Sequence, residues 1–400
     1  MNKFTSGRKI LLGITGGIAA YKIPFLVRLL KKSNCEIEII MTPSAENFVT
    51  PMTLATLANK RVWRENDFIA EGHNIPHIKL SEWADVIAIA PCSANTLAKI
   101  AHGIADNLLT STILAASCPI IIFPAMNQKM FMNPATQENI KILSDRGINI
   151  INPDSGDLAC GESGRGRMPE PQEIFCELQK VLCGVNDMSG EKVLITAGPT
   201  HEYLDPVRYI ANPSTGKMGA AMARAAWFRG ADVKLIAGPV NIDSYGFEVI
   251  RVSSAQEMLN AVMKNLEWAD FIVKAAAVGD YRAKNFNAQK IKREGKDSLF
   301  IELVQNPDIA AEVGRLKREN QILIGFAAET ENILTHAREK LSRKNLDYIL
   351  ANDVTGKDSG FASDSNIIRA IPRDEAKGEK IFTGLKQEIA FEIWDYVLSN

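Results

Sequence analysis

The sequence of 400 residues lacks the features that mark several large classes of protein. Its formal net charge is −1, and residues 1–188 and 189–400 are each close to neutral, so neither half has the basic surface of a general nucleic-acid binder. The longest apolar run, residues 113–126, is too short to cross a bilayer and contains Pro119 and Pro124. The first residues carry no apolar signal region. We therefore expect a cytoplasmic protein whose ligands are small molecules.

Cysteine is present but not in a pattern that forms structural sites. No two of the six cysteines have CxxC spacing, and none is flanked by the histidines of a zinc site. This pattern predicts free thiols in a reducing compartment. The six residues are Cys35, Cys92, Cys118, Cys160, Cys176 and Cys183.

Two glycine-rich turns depart from the common nucleotide-binding motifs. The turn Thr15–Ile18 is not a GxGxxG, which argues against a nicotinamide-dinucleotide oxidoreductase. The turn Asn212–Gly219 is not a Walker motif, because Met218 follows Lys217 where Ser or Thr is required, so a P-loop NTPase is a poor fit.

Short apolar segments alternate with helical patterns along the whole chain. Segments such as Glu36–Met41 and Ile120–Pro124 are typical of strands buried on both faces, and the same order restarts near residue 190. We therefore predict an α/β protein of two tandem Rossmann-like domains with mainly parallel sheets, residues 1–188 and 189–400. Ligands of such sheets bind beyond the carboxyl ends of the strands.

Several residues of the first domain follow predicted strands and offer binding or proton-transfer chemistry. Backbone amides at Gly16 and Gly17 could hold a phosphate, although a tight turn without a ligand is an equal alternative. Ser93–Thr96 could contact a cofactor or simply cap a helix. His77 is a candidate general base, or a structural histidine. Cys160, in a glycine-rich loop, is a candidate proton donor or an unreactive surface thiol.

Taken together, these residues resemble the homo-oligomeric flavin-containing cysteine decarboxylases. The resemblance spans residues 8–180 and includes Gly16–Lys22, Ser93–Thr96, His77, Pro124–Phe131 and Ala159–Gly161. Two motifs depart from the family's usual form, with Phe131 in place of Trp and Glu162 in place of Asp. The resemblance implies a flavodoxin-like flavoprotein domain that binds FMN. The FMN contacts that it implies are Gly16, Gly17, Ile18, Thr42, Ser93, Ala94, Thr96 and Met126.

The chemistry of that family has a physical logic. Oxidation of the cysteinyl thiol carbon to a thioaldehyde supplies the electron sink that loss of CO₂ requires, and the flavin later returns a hydride. The resemblance implies that His77 supports oxidation and decarboxylation, that Asn127 binds the substrate carboxylate, and that Cys160 assists the final reduction.

The second domain carries a different set of polar residues. Asn212 could hold an acyl-phosphate-like group, or lie in a simple turn before a helix. Asp280 could hold a metal–nucleotide complex. The basic run Lys284–Lys296, which includes Lys290, is either a solvated loop or a flap over phosphates. Lys340 and Lys344 lie one helical turn apart and could instead form a salt-bridged surface.

This set resembles the phosphopantothenate–cysteine ligases that use CTP. The resemblance covers residues 190–365 and includes Ile195–Thr200, Asp205–Ile210, Asn212–Gly219, Ala275–Arg282, Asn306–Ile309 and Gly325–Thr330. It implies that the carboxylate of 4′-phosphopantothenate attacks CTP, and that the amine of cysteine then displaces CMP. Lys290 would stabilise charge in the first step and Asn212 would position the acyl-cytidylate in the second. The implied CTP contacts are Ala275, Ala276, Asp280, Lys290, Pro307, Asp308, Ile309, Ala310, Phe326, Lys340 and Lys344, with Asp280 also at Mg²⁺.

The two resemblances imply consecutive steps of coenzyme A biosynthesis in one chain. They also imply a homo-oligomer, with decarboxylase trimers and ligase dimers combined in a dodecamer. Two alternatives stay open at this point: a flavin-binding regulatory subunit without activity, and an NAD-dependent oxidoreductase. Retention of His77, Asn127 and Cys160 disfavours the first, and the missing GxGxxG disfavours the second.

Overall fold

A computed structural model describes residues 5–68, 75–157, 163–242, 246–292, 299–329, 333–353 and 363–399. The chain divides into two compact units, residues 1–184 and 185–400. Within the described ranges, no helix combines the length and the apolar character that crossing a membrane requires.

The first unit is built on a six-stranded parallel sheet with strand order β3-β2-β1-β4-β5-β6. The remaining two strands form a separate antiparallel hairpin. The strands are β1 (Lys9–Ile14), β2 (Glu36–Met41), β3 (Val62–Trp63), β4 (Val86–Cys92), β5 (Ile120–Pro124), β6 (Asn149–Ile150), β7 (Asp154–Asp157) and β8 (Ser163–Arg167). The order reverses between β1 and β4, and such a switch point is where doubly wound sheets open a ligand crevice.

Helices cover both faces of this sheet. They are α1 (Ile23–Lys32), α2 (Pro51–Ala58), α3 (Pro76–Trp83), α4 (Ala94–His102), α5 (Leu108–Leu114), α6 (Gln128–Phe131), α7 (Pro134–Asp145) and α8 (Pro171–Cys183). Successive residues of β1 enter opposite cores: Ile10 and Leu12 pack with α1, α2 and α8, whereas Leu11 packs with α3, α4, α5 and α7. Burial on both faces explains why the strands are continuous apolar runs.

The second unit has an eight-stranded sheet with order β13-β12-β9-β14-β17-β18-β19-β20. The first six strands in that order are parallel, and β19 and β20 add an antiparallel edge. The strands of this unit are β9 (Lys192–Ala197), β10 (Glu202–Tyr203), β11 (Tyr209–Ile210), β12 (Asp232–Ala237), β13 (Glu248–Arg251), β14 (Phe271–Lys274), β15 (Tyr281–Ala283), β16 (Leu303–Gln305), β17 (Ile322–Glu329), β18 (Tyr348–Asp353), β19 (Ser365–Pro372) and β20 (Lys380–Leu385). The predicted class, two tandem Rossmann-like α/β domains with mainly parallel sheets, is confirmed.

Two layers of helices enclose the second sheet. The helices are α9 (Lys217–Phe228), α10 (Ala255–Leu266), α11 (Ile309–Leu316), α12 (Ile333–Arg343) and α13 (Lys386–Leu398). One core lies under α10, α11 and α12. On the other side, Trp394 of α13 is fully buried, donates from Nε1 to the carbonyl of Met222 in α9 at 3.1 Å, and packs edge-on against Phe271.

The two ends of the second unit are joined by a buried arginine. Arg229, only 3% exposed, follows α9 directly. Its guanidinium donates two hydrogen bonds to Asp187, at 2.9 and 2.5 Å, and one to Asp395, at 2.6 Å. Burial of the guanidinium costs desolvation free energy. Two carboxylates offset that cost more fully than one carboxylate would.

Candidate functional site

The loops that follow β1 and β4 meet at the switch point of the first sheet. Oγ1 of Thr15 donates to the carbonyl of Pro91 at 2.7 Å and accepts from the amide of Ser93 at 2.8 Å. One buried hydroxyl therefore fixes the spacing between the two loops. Thr42 follows β2 at the same edge, where its amide donates to the carbonyl of Ile14 at 3.0 Å.

The glycine turn leaves backbone accessible beside the switch point. Gly16 lies against Ser44, whose Cβ would be 2.4 Å from a Cβ added to the glycine, so a larger residue would force the loops apart. Gly17 is extended and nothing lies within 4 Å of the corresponding position. Ile18 then begins a short 3-10 helix and is 57% exposed. The turn thus presents peptide groups and one apolar side chain to a ligand.

Ser93 caps helix α4, as one alternative expected. Its Oγ accepts from the amide of Thr96 at 3.3 Å. Capping uses the side chain and leaves the first amides of the helix, including that of Ala94, directed along the axis toward the crevice. Both functions that the sequence suggested for this segment are therefore compatible.

Met126 and Asn127 follow β5 and are held by the β7–β8 hairpin. The amide of Met126 donates to the carbonyl of Gly166 at 3.1 Å, and a Cβ on Gly166 would lie 2.1 Å from the carbonyl oxygen of Met126. Oδ1 of Asn127 accepts from the amide of Lys129 at 2.8 Å, which caps α6. Cys160, the candidate proton donor, lies outside the described residues.

His77 occupies the first turn of α3. That helix returns from the carboxyl edge of the sheet to the start of β4, so its first turn lies at the edge that carries the glycine turn. The imidazole packs against Phe68 with ring centroids 5.8 Å apart. Its Nδ1 is buried and has no hydrogen-bond partner within the described part of the chain. A partner supplied by a ligand would complete this site.

The second unit contains a cleft of about 570 Å³ at the carboxyl ends of β9, β14 and β17. It brings together ten of the eleven residues predicted to contact CTP, and Asn212 lies on its wall. Those ten residues are Ala275, Ala276, Asp280, Pro307, Asp308, Ile309, Ala310, Phe326, Lys340 and Lys344. The eleventh, Lys290, is exposed and is not one of the residues that line the cleft.

Two glycines shape the loop that forms one wall of the cleft. Gly216 precedes α9 with φ of 71°, a left-handed conformation that favours glycine. Gly219 lies in the first turn of α9, where an added Cβ would be 2.6 Å from Cβ of Ala197. The helix can therefore start close against the end of β9, and the preceding loop, residues 212–216, lies beside the sheet edge.

Hydrogen bonds fix the opposite loop, residues 275–280, in an extended course. Oγ1 of Thr196 accepts from the amide of Ala276 at 3.2 Å, and Oγ1 of Thr200 accepts from the amide of Gly279 at 2.9 Å. Nδ2 of Asn212 donates to the carbonyl of Val278 at 3.0 Å. Asn212 thus joins the two walls of the cleft directly.

A charged pair closes one end of the cleft at the start of α11. Asp308 caps this helix through Oδ1, which accepts from the amide of Ala311 at 3.1 Å, and its Oδ2 lies 2.9 Å from Nζ of Lys344. Burial alone would raise the pKa of the Asp308 carboxyl. The Lys344 cation and the Ala311 amide outweigh burial and hold that pKa below its ordinary range.

Lys274 is a cleft residue that the sequence analysis missed. It is the last residue of β14, is 8% exposed, and its Nζ has no hydrogen-bond partner in the described ranges. Burial lowers the pKa of this ammonium from 10.5 to about 7; the charge of Asp308 opposes the shift and that of Lys344 adds to it. The sequence feature that could have indicated this buried lysine is its position directly after the apolar residues Phe271–Val273.

This buried lysine predicts a pH-dependent stability. Between about pH 7 and pH 10 the unfolded chain binds a proton at Lys274 that the folded chain releases, so stability rises with pH across that window. We expect Lys274→Met to be more stable than the unaltered chain at about pH 7, on the order of 2–4 kcal/mol. The difference should shrink toward pH 10. Urea-unfolding midpoints measure it, and a difference independent of pH would contradict the assignment.

Lys290 is anchored from outside the cleft. The backbone of the adjacent Ile291 is held on both sides, since its amide donates to Oδ2 of Asp205 at 3.1 Å and its carbonyl accepts from the guanidinium of Arg208. Asp205 is fully buried. Burial favours a raised pKa, but the amides of Ile291, Val207 and Arg208 lower the pKa of this carboxyl instead. The anchor therefore remains ionised at neutral pH.

The side chains of the described residues do not form a metal site in which the protein alone supplies the ligands. No group of three or more His, Cys, Asp or Glu side chains placed to hold an ion occurs among them. Asp280 is an exposed carboxylate on the cleft wall. A single carboxylate suits an ion such as Mg²⁺ only where phosphate oxygens supply further ligands.

Comparison with known proteins gives a consistent result for both units. Residues 2–182 match the family described as Flavoprotein, and residues 188–400 match the DNA/pantothenate metabolism flavoprotein C-terminal domain. The first unit is therefore a flavoprotein domain.

Relatives match the whole chain. The coenzyme A biosynthesis bifunctional protein CoaBC of Haemophilus influenzae is 44% identical over 99% of this chain and 98% of its own length. The proteins of the same name from Escherichia coli and Bacillus subtilis are each 42% identical, over 96% and 97% of this chain and 95% and 96% of their own lengths. With both units matched in one continuous alignment, the chain belongs to the family of coenzyme A biosynthesis bifunctional proteins CoaBC.

Proposed function

We propose that this chain carries out two consecutive reactions of coenzyme A biosynthesis. The second unit ligates cysteine to 4′-phosphopantothenate with CTP. The first unit decarboxylates the resulting 4′-phosphopantothenoylcysteine to 4′-phosphopantetheine with FMN. The ligase assignment rests above all on the cleft, which gathers ten predicted nucleotide contacts and Asn212 at one sheet edge.

The ligase reaction requires activation of a poor acyl donor. The carboxylate of 4′-phosphopantothenate attacks the α-phosphorus of CTP, and pyrophosphate leaves with the bonding electrons. The cysteine amine then attacks the carbonyl carbon of the acyl-cytidylate, CMP leaves, and the amine loses a proton as the amide forms. The first step attaches CMP to the carboxylate as a leaving group, and the second step expels that group as the stable amide forms.

Lys290 and the cleft residues Asn212 and Asp280 would serve different parts of this reaction. Lys290, next to the anchored Ile291, would neutralise charge that develops on the triphosphate during the first step. Asn212, which joins the two walls of the cleft, would position the acyl-cytidylate for the second. Asp280 would share a Mg²⁺ ion with the phosphates of the nucleotide.

The edge of the first sheet fits a flat, phosphorylated cofactor such as FMN. The open backbone at Gly17, the start of α4 at Ser93 and the loop at Met126 all lie at the carboxyl edge of the sheet. When bound, FMN would supply the acceptor and later the donor of a hydride.

The residues of this chain would then handle the carboxylate and the protons. Asn127 would bind the substrate carboxylate, and its helix-capping contact fixes the side chain in position. His77 would move a proton at the edge where its Nδ1 lacks a protein partner among the described residues. Cys160 would donate a proton in the last step.

We also propose that the protein is a homo-oligomer, a dodecamer of decarboxylase trimers and ligase dimers. Ile18, Tyr21 and Phe25 are each more than half exposed and recur at helical spacing beside the glycine turn. An apolar stripe next to a cofactor loop supports burial by another subunit. Mass measurement of the purified protein tests the number of subunits.

One set of measurements tests both activities. Purified protein should show a flavin absorbance band and, with 4′-phosphopantothenate, cysteine and CTP, should release CMP and CO₂. If flavin and CMP are found but no CO₂ is released, the ligase assignment stands and the decarboxylase assignment is wrong. A colourless protein that takes up no FMN would remove the first-unit assignment.

A further inference from the structure

The inner part of the cleft forms a recess in which the buried nitrogen of Lys274 lies beside several apolar residues. Lys274 shares a register row with Gly325 of β17 and Ile349 of β18, and all three residues line the cleft. Ile309 and Leu346 complete the wall; they are 3% and 2% exposed. Nζ of Lys274 is therefore buried next to apolar residues, in a cleft that Asp308 and Lys344 also line.

The nearest charges do not satisfy this nitrogen. Asp308 attracts it electrostatically, but both carboxylate oxygens of Asp308 are engaged, one by the Ala311 amide and one by Lys344. A buried donor without an acceptor costs free energy, and a ligand that brings an acceptor recovers it. We therefore expect a ligand in the recess to place a hydrogen-bond acceptor next to this nitrogen.

The shape and polarity of the recess favour a nucleobase over a phosphate. Phosphates require several backbone amides, cations or metal ions around them, whereas the residues in register with Lys274 on the neighbouring strands are Gly325 and Ile349. A nucleobase offers apolar faces together with a few polar atoms at its edge. Cytosine has a carbonyl oxygen, O2, and adenine has no carbonyl oxygen.

We propose that Lys274 is a specificity-determining residue whose Nζ donates a hydrogen bond to O2 of the pyrimidine base of the nucleotide. This inference rests on the proposed ligase function and assigns the base to the inner recess. Adenine carries only ring-nitrogen acceptors and none at the position of the cytosine carbonyl, so a larger base placed in the same way would not bring an acceptor to this donor. Sites built to hydrogen-bond one group reject analogues that lack it strongly, so Lys274 would favour CTP over ATP.

The test compares Lys274→Met in the full chain with Lys264→Met as a matched control, because Lys264 is exposed in the last turn of α10. Titration calorimetry measures the affinity for CTP, ATP and inorganic tripolyphosphate. We expect Lys274→Met to bind CTP about ten-fold or more weakly, with little change for the other two probes. Lys274→Gln, which keeps a shorter donor, should recover part of the CTP affinity.

Two results would overturn the inference while leaving the ligase function intact. One is undiminished CTP binding by a folded Lys274→Met variant. The other is an equal loss for CTP, ATP and tripolyphosphate, which would place the phosphates at this nitrogen. If the unaltered chain binds no CTP, the proposed ligase function fails and the inference fails with it.

Discussion

His77→Asn should reduce CO₂ release by at least about 100-fold while CTP-dependent amide formation continues at its normal rate. General acid–base catalysis contributes roughly 10²–10⁴ in rate, and asparagine can hydrogen-bond but cannot exchange a proton near neutral pH. The ring lies at the carboxyl edge of the first sheet with a buried, unpartnered Nδ1 in the described structure, so the substitution changes chemistry more than packing. Separate assays of CMP and CO₂ measure the two activities.

His102→Asn provides the matched control. His102 is exposed in the last turn of α4, where a histidine only faces solvent and the end of the helix. This variant should retain both activities. Loss of amide formation together with CO₂ release in His77→Asn would contradict the separation of the two reactions between the two units. Normal CO₂ release by His77→Asn would show that His77 has no role in decarboxylation.

Lys290→Gln and Asn212→Asp should block different halves of the ligase reaction. Without the Lys290 cation, charge on the triphosphate is less well compensated, and we expect pyrophosphate release to fall about 10²–10³-fold. Asn212→Asp removes the amide donor to Val278 and places a carboxylate against a carbonyl and an anionic intermediate. Pyrophosphate release should then persist for one turnover, while the acyl-cytidylate accumulates and CMP appears slowly.

Quenched-flow analysis of pyrophosphate and CMP distinguishes the two variants. Lys284→Gln is the control for Lys290, because Lys284 is a neighbouring lysine that pairs with Glu302 at 2.8 Å on the surface. It should behave like the unaltered chain. If Lys290→Gln and Asn212→Asp stop at the same point, the assigned order of the two residues is wrong.

The central parallel strands were predictable because burial on both faces requires continuous apolar sequence. Phe271–Val273 shows this directly. The parallel edge strands β3, β6 and β13 were not predicted. Strands β19 and β20 were missed, since an antiparallel edge is only partly buried and contains residues such as Arg369 and Lys380 among its apolar ones. Local sequence carries a weaker signal for such strands than for central ones.

Some residues of the candidate site could likewise be predicted from local sequence, and others could not. The loop positions of Asn212 and Asp280 followed from the strands before them. The anchoring of Ile291 by Asp205 joins residues 86 positions apart, and no local pattern reveals it. Lys274 was overlooked because a lysine at the end of a strand normally faces solvent. Its burial depends on α11 and on the neighbouring strands, which only the folded structure brings together.

The buried Arg229 sets where the second unit could be separated from the first. Asp187 supplies two of the carboxylate contacts to its guanidinium, and Asp395 near the other end supplies another. A fragment that starts at residue 189 would lack Asp187 and keep the cation buried with less compensation. An excised second unit that retains its stability would therefore start at or before Asp187 and extend through Asp395.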